Sequence, residues 1–116
     1  MNDAQTTVAQ LRQLVACFVA ERDWEQFHDP KNISMALAVE AAELMEHFQW
    51  LRSDQLGLLR DDPKEMEAIG EELADVLAFV LAFANRMEID LAAALSRKME
   101  RNARKYPAQE YRGRFR

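Results

Sequence analysis

Two pairs of acidic residues interrupt apolar stretches of this sequence. Glu40 and Glu43 lie within LAVEAAELM, and Glu72 and Asp75 lie within IGEELADVL. In a helix, residues three positions apart share one face, one turn apart. Burying several carboxylates together costs free energy unless a cation neutralises them. Because carboxylate oxygens favour hard cations, the spacing predicts a Mg²⁺ site, with Mn²⁺ as the second choice.

Two other interpretations of these acids stay open from the residues alone. Each pair could lie on a solvated helix face and bind nothing. A di-iron centre is the rival metal site, and it requires Glu-x-x-His on its helices. Glu43 and Glu72 are instead followed at the third position by Glu46 and Asp75, and His47 comes at the fourth. The sequence therefore disfavours di-iron.

Aromatic residues follow the acids along the same helix faces. Trp50 comes seven residues after Glu43, about 10 Å along a helix axis, and Phe79 comes four residues after Asp75. A nucleoside triphosphate has a similar length from its phosphates to its base, and aromatic rings stack on bases. The pattern indicates a nucleotide ligand, although Phe79 also suits a hydrophobic core.

Nearly all of the chain has helical periodicity, with apolar residues recurring at a spacing of three to four. Asp62-Pro63 is a strong helix start, whereas Asp29-Pro30 is interpreted as a turn. Four helices in a chain of this size predict an all-α fold, a small four-helix bundle. The predicted helices span residues 7–21, 34–51, 63–87 and 91–105.

The third predicted helix is apolar on much of its circumference between Leu73 and Phe83. Such a helix is buried nearly all round, which a chain of 116 residues does not easily achieve alone. We therefore expect a homo-oligomer. The helices form a single domain over residues 1–107, and residues 108–116 are expected to form a polar, basic tail.

Charge is unevenly distributed along the chain, whose formal net charge is −5. Residues 97–116 hold eight basic and two acidic side chains (net +6), and residues 1–96 hold seven basic and eighteen acidic ones (net −11). An acidic body repels a phosphate backbone, which disfavours nucleic acid polymers as partners. The basic segment suits a small anion or a second copy of the chain. Arg112, Arg114 and Arg116 have no expected role.

No segment of the sequence predicts a membrane span or secretion. The longest apolar run, residues 76–84, has nine residues, against roughly twenty for a transmembrane helix. The amino terminus MNDAQTT is polar and lacks the basic start of a signal peptide. The single Cys17 cannot form an intrachain disulfide. These features favour a cytoplasmic protein.

Several sequence blocks, in order, resemble the all-α nucleotide pyrophosphohydrolases of the MazG-like superfamily. E-A-A-E and, 28 residues later, E-L-A-D match the E-x-x-E and E-x-x-D motifs of that superfamily. The flanking blocks are similar to its dCTP pyrophosphatase branch. They are E-R-D-W-E-Q-F-H (21–28), F-Q-W (48–50), E-E-L-A-D-V-L (71–77) and K-M-x-x-N-x-x-K-Y-P (98–107).

The resemblance implies Mg²⁺-dependent hydrolysis of a deoxynucleoside triphosphate, dCTP or a modified dCTP, to the monophosphate and pyrophosphate. It implies house-cleaning of the nucleotide pool by a tetramer built as a dimer of dimers. Glu40 and Glu43 are the expected catalytic residues, with Glu71 as an alternative base. The metal ligands carried over are Glu40, Glu43, Glu72 and Asp75. The substrate-binding residues carried over are Trp24, His28, Trp50, Phe79, Lys98, Asn102, Lys105 and Tyr106.

Two positions depart from the pattern of that branch. Val15 stands where the branch carries a histidine, and Phe79 stands where it carries a tyrosine. Each change removes a hydrogen-bonding group near the base or sugar, so the preference for cytosine is less firmly implied than the hydrolysis. The alternative function is a non-catalytic helical module for nucleotide binding or dimerisation.

Overall fold

The computed structural model describes residues 1–114, which form six α-helices, two short 3₁₀ turns and no strand. Arg116, one of the tail arginines without an expected role, lies outside the described residues. The fold is all-α, as the sequence predicts. The helices are α1 (Val8–Glu21), α2 (Pro30–Glu46), α3 (Leu56–Arg60), α4 (Pro63–Met87), α5 (Leu91–Lys105) and α6 (Ala108–Tyr111).

Local capping explains where three of these helices begin. The Thr7 side chain accepts a hydrogen bond from the backbone of Gln10, and the Gln10 side chain accepts one from Thr7 in return. Asp62 accepts from the first backbone N–H groups of α4, and Asp90 does the same for α5. The predicted bounds of α4 and α5 are confirmed.

The predicted bounds of the second helix are wrong at both ends. α2 begins at Pro30, because Asp29 caps it by accepting from the Asn32 backbone at 2.8 Å. Proline also suits the first helical position, where its missing N–H is not needed. After Glu46 the chain continues in turns, so Trp50 lies in a turn rather than on the helix.

α4 is the central helix, and α1, α2 and α3 pack against it. α5 makes no extensive contact with another helix among the described residues. The core is correspondingly small. Its buried hydrophobic residues are Val19, Ile33, Leu81, Ala82 and Ala84.

The described helices include none that combines the length and the apolar character needed to cross a membrane. Residues 108–111, at the start of the predicted tail, form the single turn of α6. The ring of Tyr111 in α6 packs edge-on against Tyr106, with centroids 5.2 Å apart.

Candidate active site

The packing of α2 on α4 brings three carboxylates together. One side-chain oxygen from each of Glu40, Glu43 and Glu72 lies within 4.8 Å of the others, and all three residues are half-buried. The spacing of three residues between Glu40 and Glu43 places both on the face of α2 that meets α4. Three of the four predicted ligands thus form one group, the acidic cluster.

Two oxygens of the acidic cluster are buried without a hydrogen-bond partner among the described residues. They are Oε2 of Glu40 and Oε2 of Glu72. Buried polar atoms are normally paired, and an unpaired carboxylate oxygen is costly. A cation bound at this position would therefore be favoured by both oxygens.

The proximity of the acids raises two pKa values. The pKa of Glu40 is raised from 4.5 to about 6. The causes, largest first, are hydrogen bonding with the Glu43 carboxyl, burial, and the charges of Glu43, Asp75 and Glu72. The pKa of Glu72 is also raised. The causes, largest first, are burial, the Glu43 charge, hydrogen bonding with Glu43 and the Asp75 charge, and His47 has a smaller lowering effect. Both shifts show that the folded chain disfavours full ionisation of the cluster.

Asp75, the fourth predicted ligand, is exposed and lies outside the group of three oxygens. It is nevertheless near enough for its charge to raise the pKa values of Glu40 and Glu72. Glu71, the alternative base, is exposed.

At the edge of the site, Nδ1 of His47 lies 3.5 Å from Oε2 of Glu65, which links the end of α2 to the start of α4.

The donor set fits a divalent cation. All-oxygen carboxylate groups favour hard ions such as Mg²⁺ over zinc or copper. The two buried, unpaired oxygens of Glu40 and Glu72 are the atoms that such an ion would satisfy. A cation there would also remove the repulsion that raises the two pKa values.

A cavity of about 520 Å³ lies between α1, the loop before α2 and the carboxyl-terminal part of α4. Ala82 in its wall comes seven residues after Asp75, so the two share one face of α4, roughly 10 Å apart along the axis. His28, a predicted substrate residue, lines the cavity, and so does Val15. The volume is typical of small-molecule sites.

Three residues expected around a base do not line this cavity. Trp24 is 43% exposed, and its ring packs edge-on against Phe18 at 5.7 Å. Trp50 is 86% exposed. Phe79 is half-buried on α4.

The predicted substrate residues of the last long helix lie on α5, which does not pack extensively on α2 or α4. Lys98 and Lys105 are exposed, and Nζ of Lys105 lies 5.3 Å from the ring centroid of Tyr106. Asn102 is half-buried and approaches Sδ of Met99 at 3.9 Å.

Sequence reasoning missed a polar pair at the end of the cavity. Arg12 Nε donates to Oδ1 of Asn85 at 2.9 Å, and Nδ2 of Asn85 donates to the Arg12 backbone oxygen at 3.1 Å. Asn85 also lines the cavity. In the sequence, Asn85 stands out only as a polar residue one turn after Ala82, at the end of an otherwise apolar run.

The known proteins that are similar to this chain are named pyrophosphatases. Two mammalian proteins named dCTP pyrophosphatase 1 are similar to this chain: that of Bos taurus, 44% identical over 95% of the chain, and that of Homo sapiens, 46% identical over 90%. The aligned part is 65% and 61% of those proteins, so the chain spans less than two thirds of their length.

The crystal structure of a pyrophosphatase from Archaeoglobus fulgidus has a similar fold. The TM-score is 0.78 at 36% identity, covering 92% of this chain and 98% of that one. The sequence pattern of the MazG-like family matches residues 35–114, which include the acidic cluster and most of the long helices. With this match and with relatives at about 45% identity, the chain belongs to the MazG-like family.

Proposed function

We propose that this protein is a Mg²⁺-dependent nucleoside triphosphate pyrophosphohydrolase. It converts dCTP, or dCTP modified on its base, into the monophosphate and pyrophosphate, and so removes unwanted nucleotides from the pool. The observation that carries the proposal is the acidic cluster, in which Glu40 and Glu72 each bury an unpaired carboxylate oxygen. The names of the relatives, dCTP pyrophosphatase 1, support this choice of substrate.

Glu40, Glu43, Glu72 and Asp75 are the proposed holders of the cation. When bound, the cation supplies Lewis acidity toward the phosphoryl oxygens and neutralises charge, because carboxylates alone would repel a triphosphate. Glu40 or Glu43 orients the attacking water and accepts its proton as the bond to the α-phosphorus forms and pyrophosphate leaves. Glu43 contacts both other acids of the cluster, so its removal changes the whole group.

The cavity beside His28 is the proposed place of the base. It lies on the Asp75 face of α4, about two helical turns farther along, which matches the distance from phosphate to base in a nucleotide. Its wall is largely apolar through Val19 and Ala82, as the flat face of a base requires. Trp24 and Phe79 are proposed to lie near the base or sugar.

We also propose that the chain works as an oligomer, a dimer of dimers. Its accessible surface is 9564 Å², against about 6,500 Å² for a compact monomer of this mass. Its radius of gyration is 17.3 Å, against about 13 Å for a compact domain of this length. Apolar residues remain exposed on α4, where Leu73 is 55% and Leu77 44% exposed. A second copy would cover them.

α5 is the proposed phosphate-binding arm of this oligomer. Its apolar residues Leu95 and Met99 are 63% and 55% exposed, which suits docking on another copy. In that arrangement Lys98, Asn102, Lys105 and Tyr106 would meet the sugar and phosphates of a nucleotide, and Trp50 would stack on its base. The proposed domain spans residues 1–107, and residues 108–116 form a basic extension.

A substrate panel tests the function. The protein, with Mg²⁺, is incubated with the four common deoxynucleoside triphosphates and with 5-methyl-dCTP, and pyrophosphate release is measured. We expect dCTP or its 5-methyl form to react fastest. Glu43→Ala should abolish release while its circular dichroism remains helical, and the exposed Glu67→Ala on α4 serves as the control. No release from any nucleotide by the wild type would favour the non-catalytic module instead.

A further inference from the structure

The amide of Asn85 is held in a single orientation. The Arg12 guanidinium only donates hydrogen bonds and the Arg12 carbonyl only accepts them, so Oδ1 of Asn85 must face Nε and Nδ2 must face the backbone oxygen. Arg12 is itself fixed, because its other two nitrogens donate to the backbone oxygens of Ala84 at 3.0 Å and Ile89 at 2.6 Å. A pair held this firmly presents a defined set of polar atoms.

This fixed amide lies in the wall of the cavity. Side chains on a helix lean toward its amino terminus, so Asn85 leans toward Ala82 and the proposed base position. After its two bonds with Arg12, the amide keeps one N–H and one oxygen lone pair. Among the polar residues that line the cavity, Asn85 and His28 are half-buried, and the exposed ones are Glu25, Gln26, Arg86 and Glu88.

We propose that Asn85, oriented by Arg12, distinguishes between bases in this cavity, an inference that rests on the proposed function. Cytosine and uracil have similar shapes and differ chiefly in the donors and acceptors along one edge, whereas thymine also carries a 5-methyl group. An apolar wall binds cytosine and uracil almost equally, whereas a fixed polar group discriminates because the wrong base leaves it unpaired. An uncharged amide suits this task, since a charged side chain would respond mainly to phosphate. Arg12 is a positioning residue that acts through Asn85.

The test measures binding without hydrolysis. The affinities of dCMP and dUMP are measured by calorimetry in the absence of metal, and their ratio is compared among variants. We expect the wild type to favour dCMP and Asn85→Ala to reduce the ratio about tenfold. Asn85→Asp, which retains a partner for Arg12 but replaces the donor with an acceptor, should also change the ratio. Gln13→Ala, an exposed amide on α1 that contacts Cys17, should leave it unchanged.

The role of Arg12 is tested by the same ratio of affinities in Arg12 variants. If Arg12 acts through Asn85, Arg12→Lys should reduce the ratio, and the double variant should be no less selective than Asn85→Ala alone. An unchanged ratio in both Asn85 variants, or a wild type without preference, would overturn the inference. A wild type that binds selectively but releases no pyrophosphate would refute the proposed function and leave the inference standing.

Discussion

One carboxylate oxygen of Glu40 lies within 4.8 Å of one of Glu43, and hydrogen bonding between the two carboxyl groups is the largest cause of the raised pKa of Glu40, about 6. The two residues lie one turn apart on α2, and Glu72 of α4 completes the group. Protonation of Glu40 therefore relieves the repulsion within the acidic cluster, and a bound cation would do the same. This relationship links stability, pH and metal binding.

The first prediction concerns the pH dependence of the metal-free protein. Since the pKa of Glu40 is raised on folding, the folded state holds its proton more tightly than the unfolded state does. This group's contribution to the free energy of unfolding is therefore greatest below pH 4.5, falls as pH rises to about 6, and stays low above that. Glu40→Gln should remove this part of the profile and raise the melting temperature near pH 7.5. A profile identical to that of the wild type would contradict the raised pKa.

The second prediction concerns stabilisation by the cation. If the acidic cluster of the folded chain binds Mg²⁺ as proposed, the ion should raise the melting temperature of the wild type at pH 7.5. Glu72→Gln should lose most of that rise, because Glu72 contributes one of the two unpaired oxygens. Glu67→Gln, an exposed residue of the same helix, should keep it. An equal rise in both variants would place the cation elsewhere.

How the helices form could be predicted from local signals, but the two bounds of α2 could not. Asp62-Pro63 and Asp29-Pro30 are the same pattern, and both begin helices. Residues 23–31 break the helical pattern, so the sequence favours a turn at Asp29-Pro30. The two caps are alike in the structure, because the backbone of Asn32 donates to Asp29 as that of Glu65 donates to Asp62.

The acidic cluster was predictable in part because the spacing within each helix already aligns its acids. Glu40, Glu43 and Glu72 meet as soon as α2 packs on α4. The pairing of Arg12 with Asn85 was not predictable, since the two residues are 73 positions apart and each resembles an ordinary polar residue of an amphipathic helix. Contacts of this kind depend on the tertiary arrangement.

The third prediction concerns the stability that Arg12 provides. Its guanidinium joins α1 to the end of α4 through three hydrogen bonds, two of them to backbone oxygens near the helix terminus. Arg12→Ala should lower the free energy of unfolding in urea by about 2–4 kcal/mol. Arg22→Ala is the matched control, because the Arg22 guanidinium contacts only its neighbours along the chain. It donates to the Phe18 backbone oxygen, lies 3.7 Å from the centroid of the Phe18 ring and forms an exposed pair with Glu21. This substitution should cost less than about 1 kcal/mol. Equal losses would contradict the role of Arg12.

The fourth prediction concerns Trp50, which is 86% exposed in one chain. If it stacks on the base in the assembled protein, its fluorescence should change on addition of dCTP with Mg²⁺ or of dCMP. Trp24→Phe leaves Trp50 as the single tryptophan, and Trp50→Phe provides the reciprocal control. A flat titration by an active Trp24→Phe protein would place the base away from Trp50.

The most direct test of the central claim is the identity of the products formed from dCTP with Mg²⁺ in ¹⁸O-labelled water. Attack at the α-phosphorus predicts equal amounts of dCMP and pyrophosphate, with the label in dCMP, and no product from Glu43→Ala. Formation of dCDP and orthophosphate, label in pyrophosphate, or an unchanged rate in Glu43→Ala would contradict the proposed pyrophosphohydrolase and its acidic cluster.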